Sequence, residues 1–159
     1  MAPSSVAELA AHIVGRLTQL GETVSVAESC TGGGLGASIT EVPGASAVFW
    51  GGVIAYADVL KTDLLGIPEP LIDRCGAVSE EVAVGLASGV RKLLGTTWGL
   101  SVTGIAGPGG GSPAKPVGTV WLALDGPRPA TQGLTGSASR SEVRDRAIHG
   151  ALALLESAL

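Results

Sequence analysis

Two apolar, β-prone segments of the chain each run directly into a turn rich in glycine. Residues 23–28 are followed by such a turn at 29–34, and residues 98–103 by another at 104–111. Segments with helical apolar periodicity stand around them, and this alternation favours an α/β architecture, in which sites lie at the carboxyl ends of the strands. The sequence therefore predicts a three-layer α/β/α domain with a mixed, mostly parallel sheet, and a site formed by the two turns.

Capping residues mark where three long helices begin and end. The first is expected to start at Val6 after a serine cap and to stop at Gly21. The other two follow Ser79, with an end at Gly95, and Ser137 or Ser139 near the end of the chain. Shorter helices are predicted over residues 35–40, 58–65 and 68–74, and further strands over 48–56, 117–124 and 130–135. The last two strands, close in sequence, are expected to form the antiparallel part of the sheet.

Composition narrows the class of protein. The chain has 159 residues, which fits one domain over 1–159, and its 45% hydrophobic but 3% aromatic content predicts a core of Ala, Val, Leu and Ile. Charged residues at 15% and a net charge of −4 exclude a disordered or nucleic-acid-coating chain. No apolar run approaches the ~20 residues of a membrane span, and no signal peptide is recognisable. We expect a cytoplasmic protein that binds a small molecule, with neither nucleic acid nor membrane as partner.

The first glycine-rich turn offers two nucleophiles, Ser29 and Cys30. Ser29 stands where a strand passes into a helix, a position that suits either a nucleophile or an ordinary helix-capping serine. Cys30 is either a rival nucleophile or a small buried hydrophobic residue. The backbone N–H groups of residues 29–33 are candidates to hold a phosphate or an oxyanion at the start of the helix.

A serine nucleophile needs a base. His12 and His149 fall inside the predicted terminal helices, away from the turns, which argues against a Ser-His-Asp triad. Lys61 follows a predicted buried strand, and a desolvated lysine can act as a base, although most lysines are surface charges. The two cysteines, Cys30 and Cys75, form no metal-ligand pattern, so neither a metal nor another cofactor is expected.

Arg140 and Arg144 lie one turn apart on one face of the last predicted helix. Cations at a helix N-terminus oppose its dipole, and a bound anion would offset that cost. The alternative is ion pairing with neighbouring acids such as Glu142 or Asp145.

Several segments together carry a family resemblance. They include Ala-Glu-Ser-Cys-Thr-Gly-Gly at 27–33, Tyr-Ala-Asp-Val-Leu-Lys at 56–61, Gly-Ala-Val-Ser at 76–79, Val-Thr-Gly-Ile-Ala-Gly-Pro-Gly-Gly at 102–110, and Lys-Pro-Val-Gly-Thr-Val at 115–120. In this order they resemble the CinA C-terminal domain family over essentially the whole chain. Stand-alone members of that family are nicotinamide-nucleotide amidases, and nothing here resembles the larger N-terminal domain of full-length members. The resemblance implies a single amidohydrolase domain over 1–159.

The resemblance also implies an activity and a set of site residues. The reaction is hydrolysis of nicotinamide mononucleotide (NMN) to nicotinate mononucleotide and ammonia, without metal or cofactor. Ser29 would be the nucleophile of an acyl-enzyme mechanism and Lys61 its general base. The implied substrate-binding residues are Cys30, Thr31, Gly32, Gly33, Tyr56, Thr103, Gly104, Gly107, Gly109 and Arg140.

Two departures from the family pattern leave alternatives open. Asp58 stands where many members have Asn, and Ala138-Ser139 where many have Gly-Asp before the arginine. A carboxylate beside Lys61 would favour its protonated form, so Asp58 is expected to point away from the ammonium or to be held elsewhere. The alternatives are a non-catalytic ligand-binding domain and an amidase for another small amide. A homo-oligomer is expected, with Trp50, Trp98 and Trp121 as candidates for a subunit face.

Overall fold

The computed structural model describes residues 4–159; the first three residues, on which the expectation of no signal peptide partly rests, lie outside it. The described chain forms six α-helices, five strands and a short 3₁₀ turn, Ala45–Ala47. The helices are α1 Val6–Leu20, α2 Gly34–Thr40, α3 Asp58–Asp63, α4 Glu69–Cys75, α5 Glu80–Leu94 and α6 Arg140–Ala158. The strands are β1 Val24–Glu28, β2 Phe49–Ile54, β3 Trp98–Gly104, β4 Val120–Asp125 and β5 Ala130–Leu134.

The long helices begin and end at the residues that their caps predict. Ser5 and Ser139 each form a capping box with the glutamate three residues later, and Ser79 caps α5 through the amide of Val82. Gly21 and Gly95 close α1 and α5 in the left-handed conformation, which glycine adopts without strain. Four of the five predicted strands are longer than the observed ones, notably the strand predicted over 117–124, because residues 116–119 fold into a turn before β4.

The sheet has the strand order β2-β1-β3-β4-β5. β1 pairs in parallel with β2 and β3, and the two remaining pairs are antiparallel, so β4 alone runs against the other four strands. This confirms the mixed, mostly parallel sheet and the antiparallel pairing of the last two strands. Two features mark the glycine pair in β2: the register shifts next to Gly51, and Gly52 lies so close to Val26 that a Cβ would stand 2.6 Å from its carbonyl oxygen.

Side chains of β1 alternate between the two faces of the sheet. Val24 and Val26 join the core formed with α1, α2 and α6, and Ala27 joins a second core beneath α4 and α5. A three-layer domain results, as predicted. The carboxyl ends of β1, β2 and β3 share one edge of the sheet, and this places the two glycine-rich turns side by side.

Small residues allow α5 to lie very close to the sheet, which explains how a core with few aromatic side chains is packed. Ala83 and Ala87 of α5 contact Ala123 of β4, and a Cβ on Gly99 would overlap the carbonyl oxygen of Ala87. Backbone cannot yield as a side chain can, so this approach depends on glycine at position 99.

Gly99→Ala is therefore expected to lower the free energy of unfolding by about 1–3 kcal/mol, the usual range for overpacking. Urea unfolding of the variant measures this. Gly15→Ala is the matched control, because a Cβ there meets nothing within 4 Å and alanine is the better helix former. A Gly99→Ala protein as stable as the wild type would contradict the close packing of α5.

Candidate active site

A pocket of about 280 Å³ opens at the shared edge where β1, β2 and β3 end. Its size is near the lower end, ~300 Å³, of small-molecule sites. Most of the residues predicted from sequence line it: Ser29, Cys30, Tyr56, Lys61, Thr103, Gly104, Gly107, Gly109 and Arg140. Thr31, Gly32 and Gly33 do not line it. Sequence reasoning missed Ala77 and Val78, which the loop between α4 and α5 brings to the pocket, and did not expect Asp58 there.

Ser29 stands at the end of β1 with a free hydroxyl. Its amide donates to the carbonyl of Val102 (3.0 Å), which extends the pairing of β1 with β3 by one residue. Its side chain is 9% exposed, and its Oγ makes no hydrogen bond to any part of the chain that the structure describes. The residue before α2 is Gly33, and Ser29 makes no hydrogen bond to the amides at the start of that helix. Ser29 is therefore not a helix cap, and the capping interpretation of this residue is wrong.

The start of α2 is already occupied by a carboxylate from the chain itself. Glu28 is 2% exposed, and its Oε2 accepts hydrogen bonds from the amides of Gly33 (3.1 Å) and Leu35 (3.0 Å). Its Oε1 accepts from the amide of Gly36 (2.8 Å). The amides of Gly33, Leu35 and Gly36 are therefore not available to a phosphate or an oxyanion, because Glu28 satisfies them first. The signal in the sequence was a glutamate at the end of an otherwise uncharged buried strand.

Most amides of the same turn already donate to an acceptor within the chain. The amide of Gly32 donates to the carbonyl of Ser29 (3.1 Å), and that of Gly34 donates to the carbonyl of Thr31 (3.0 Å). Between residues 30 and 36, the amides of Cys30 and Thr31 have no acceptor on another described residue. Thr31 is completely buried and does not line the pocket, so the amide of Cys30 is the donor available to a developing oxyanion.

Cys30 has the features of a buried structural thiol. It is 5% exposed, its sulfur packs against Gly104, and burial raises the pKa of the thiol to about 11. The thiolate is the nucleophilic form of cysteine, so a thiol held protonated is a poor nucleophile near neutral pH.

Iodoacetamide at pH 8 is therefore expected to alkylate the half-exposed Cys75 and to leave Cys30 unmodified until the protein unfolds. The raised pKa further predicts that modification of folded Cys30 accelerates only as the pH approaches about 11. Peptide mass spectrometry after timed labelling distinguishes the two sites. Modification of Cys30 as fast as Cys75 at pH 8 would show that the thiol is accessible and ionised.

Lys61 is a buried lysine whose ammonium hydrogen-bonds to three acceptors. The residue is 1% exposed, and Nζ donates to the carbonyls of Ala55 (2.8 Å) and Tyr56 (3.4 Å). Its third acceptor is Oδ1 of Asp58 at 3.2 Å, on a side chain that is 61% exposed. The expectation that Asp58 points away from Lys61 is wrong: position 58 is the first residue of α3, and one turn of that helix brings the two side chains together.

Arg140 joins two walls of the pocket rather than pairing with an acid. Its Nη1 donates to the carbonyl of Gly107 (2.7 Å) in the second glycine-rich loop. Its Nη2 donates to the hydroxyl of Tyr56 (3.1 Å), beyond β2. The proposed ion pairs with Glu142 or Asp145 do not occur among the described residues. Ser139 caps α6, a role that serine and aspartate both fill well, so the departure from the family pattern before Arg140 keeps the cap.

Thr103 fixes the position of a loop that lines the pocket. It is buried at the end of β3, and its hydroxyl donates to the carbonyl of Ala77 (2.9 Å). This bond ties the loop between α4 and α5 to the sheet beside Ser29. The loop is held from its other side by Lys115, whose ammonium donates to the carbonyl of Cys75. Lys115 is therefore a structural contact rather than a solvated charge.

The remaining polar candidates lie elsewhere. His12 hydrogen-bonds to Glu156, and His149 hydrogen-bonds to the carbonyl of Ser4, both away from the pocket, as the sequence predicted. Within residues 4–159, no group of three or more histidine, cysteine or carboxylate side chains is arranged to hold a metal ion. None of the helices in the same range is long and apolar enough to cross a bilayer.

The three tryptophans do not form one surface. Trp98 is 1% exposed and lies in the core, so its assignment to a subunit face is wrong; its indole N–H donates to Glu22. Trp121 packs against the small residues of α5, and Trp50 is exposed on the edge strand β2.

Comparison with known proteins gives a consistent result. A model of the CinA C-terminal domain matches residues 6–159. A CinA-like protein of Synechococcus sp. (strain CC9311) is 60% identical over 114 residues, which cover 72% of this chain and 27% of the relative. One from Anaeromyxobacter sp. (strain Fw109-5) is 52% identical over 153 residues, 96% of this chain and 37% of the relative. The chain thus spans roughly a quarter to two fifths of the length of these curated relatives.

A solved structure matches over nearly the full length of both chains. The crystal structure of the competence/damage inducible protein CihA from Agrobacterium tumefaciens superposes with a TM-score of 0.94 at 38% identity. The match covers 99% of this chain and 97% of that one.

Proposed function

The chain belongs to the CinA C-terminal domain family, and we propose that it hydrolyses the carboxamide of nicotinamide mononucleotide to nicotinate mononucleotide and ammonia. One observation carries the proposal. A serine with a free hydroxyl, Ser29, and a buried lysine, Lys61, line one pocket together with the glycine-rich loop after β3 and with Arg140. Serine–lysine pairs are an established means of activating a hydroxyl nucleophile.

The reaction begins when Oγ of Ser29 attacks the carboxamide carbon and its proton passes to the neutral amine of Lys61. The new Oγ–C bond creates a tetrahedral oxyanion, for which the amide of Cys30 is the uncommitted donor in the pocket. Lys61 then returns the proton to the amide nitrogen, the C–N bond breaks, and ammonia leaves. Water attacks the resulting ester in the same manner, which releases nicotinate mononucleotide and restores Ser29.

Recognition of the nucleotide's single phosphate is assigned to Arg140 and the second glycine-rich loop. A guanidinium has five N–H donors, and Arg140 engages two of its groups with Gly107 and Tyr56. Donors therefore remain for an anion. Gly109 and Gly110 are exposed and carry no side chain, so their backbone can approach a phosphate closely.

A second candidate function follows from the Asp58 carboxylate beside Lys61. Nζ of Lys61 donates to three acceptors, one of them a carboxylate, and makes no hydrogen bond to Ser29 in the described residues. A domain that binds the nucleotide without turnover fits this arrangement. For the proposed hydrolase, Asp58 is the acceptor that has to release Lys61, and its exposure makes it the easiest of the three to displace.

The test is release of ammonia from NMN by the purified protein in excess EDTA, with product identified by mass spectrometry. The proposal expects turnover to nicotinate mononucleotide, and expects nicotinamide riboside, which lacks the phosphate, to be hydrolysed with a higher KM. Calorimetric binding of NMN without ammonia release would favour the binding domain. Faster turnover of a different small amide than of both compounds would show that NMN is not the preferred substrate.

A further inference from the structure

Arg144 reaches the turn that carries the nucleophile without lining the pocket. It lies on α6, one turn after Arg140, and is half-buried. Its Nε donates to the carbonyl of Cys30 (3.1 Å) and its Nη2 to the carbonyl of Thr31 (3.1 Å). It makes no ion pair with any described acid. The Arg144 guanidinium therefore contacts the two consecutive carbonyls that follow Ser29, and it neither lines the substrate pocket nor pairs with a carboxylate.

Holding those two carbonyls also sets the direction of two amides. In a trans peptide, the C=O and the following N–H point in opposite directions, and the peptides of this turn are trans. The bond to Cys30 O therefore turns the amide of Thr31 away from α6, and the bond to Thr31 O orients the amide of Gly32. The Gly32 amide closes the turn on the carbonyl of Ser29 (3.1 Å).

Thr31 has polar groups without hydrogen-bond partners, and these show that the two bonds from Arg144 help to hold the turn in its conformation. Thr31 is completely buried, yet its Oγ1 has no hydrogen-bond partner among the described residues, and its amide has none either. Buried polar groups without partners are costly, so the turn keeps this conformation only because other contacts impose it. Those contacts come from Arg144 on one side and, on the other, from Glu28, which holds the amides at the start of α2.

We infer that Arg144 is a positioning residue for the nucleophile: it fixes the backbone on which Ser29 and the adjacent Cys30 amide depend, without touching the substrate. The inference rests on the proposed function for its catalytic consequence. The planar fork of arginine matches two consecutive carbonyls, a geometry that the single ammonium of lysine cannot reproduce. Together, Arg140 and Arg144 make the first two turns of α6 a brace against both glycine-rich turns and Tyr56.

The experiment compares Arg144→Lys with Arg146→Lys. Arg146 is a matched control, because it lies on the same helix, is half-buried, and donates from Nη2 to the carbonyls of Gly118 (3.0 Å) and Gly136 (2.9 Å), away from the pocket. Arg144→Lys is expected to lower kcat for NMN about 100-fold, the usual cost of misplacing a reacting group by about 1 Å, with KM changed less than about threefold. Arg146→Lys is expected to retain kcat. Equal losses in both variants, or a loss in KM alone, would overturn the inference.

A second readout needs no amide substrate. The rate at which a small alkyl fluorophosphonate phosphonylates Ser29, with loss of fluoride, reports on the nucleophile and its oxyanion donor directly. Arg144→Lys is expected to slow this labelling at least about tenfold and to shift the backbone NMR resonance of Thr31, whereas Arg146→Lys does neither. A wild-type protein that is labelled but releases no ammonia from NMN would refute the proposed function and leave the labelling comparison to decide the inference. Unlabelled wild-type Ser29, or an Arg144→Lys protein labelled as fast as the wild type, would overturn it.

Discussion

Ser29→Ala is expected to lower kcat for amide hydrolysis by at least about 1000-fold, because removal of a nucleophile leaves only binding and electrostatic contributions to the rate. The hydroxyl makes no hydrogen bond to the described chain, so its loss leaves no partner unsatisfied. The melting temperature should therefore stay within a few degrees of the wild-type value. Steady-state ammonia release and thermal unfolding, measured on one preparation, separate the two effects.

Cys30→Ala is the matched control for that experiment. The neighbouring residue lines the same pocket but carries a buried thiol whose pKa is raised to about 11 by desolvation. Its removal is expected to cost some stability through lost packing and to preserve most of kcat. An active Ser29→Ala protein beside an inactive Cys30→Ala protein would reverse the two roles and refute the serine mechanism.

The second large effect is expected at Lys61. Lys61→Arg should reduce kcat by at least about 1000-fold, since a guanidinium remains protonated at working pH and cannot accept the serine proton. Lys61→Met tests the same point without introducing a charge. Lys61→Met leaves the carbonyls of Ala55 and Tyr56 without their shared donor, and Lys61→Arg places a larger group in the same buried position, so circular dichroism must accompany the kinetics.

Asp58→Asn provides the complementary change. It removes the carboxylate 3.2 Å from Nζ while keeping an oxygen that can accept a hydrogen bond. Removal of the negative charge weakens the contact that holds Nζ away from Ser29, so kcat at neutral pH should be equal to that of the wild type or higher. A large fall in kcat, or an active Lys61→Arg protein, would show that Lys61 is not the base.

Local chemistry made the elements of the fold predictable. Ser5, Ser79 and Ser139 cap the helices that their positions indicated, and Gly21 and Gly95 end two of them. Each of these signals acts within four residues, so the sequence alone contains it. Strand ends were less certain, because the pairing partner decides where a strand stops.

The contacts of the site depended on tertiary structure. The glutamate at the end of β1 was an unusual charge in a buried strand, but the sequence did not show which amides its carboxylate would meet. The two arginines of α6 gave no sign that carbonyls from 33 and 114 residues away would accept their hydrogen bonds. The contact between Asp58 and Lys61 was the exception. The spacing of three residues on a predicted helix was visible in the sequence and indicated a contact. The prediction that Asp58 points away from Lys61 gave more weight to what a general base requires than to this spacing.

The measurement that tests the account most directly is detection of the covalent intermediate. The protein is mixed with NMN, quenched in acid during turnover, digested, and analysed by peptide mass spectrometry. The account predicts a nicotinate-ribonucleotide acyl group on the peptide that carries Ser29, absent from Ser29→Ala and diverted to the hydroxamate when hydroxylamine is added. Turnover with unmodified Ser29 and no hydroxamate, or an acyl group on Cys30, would contradict it.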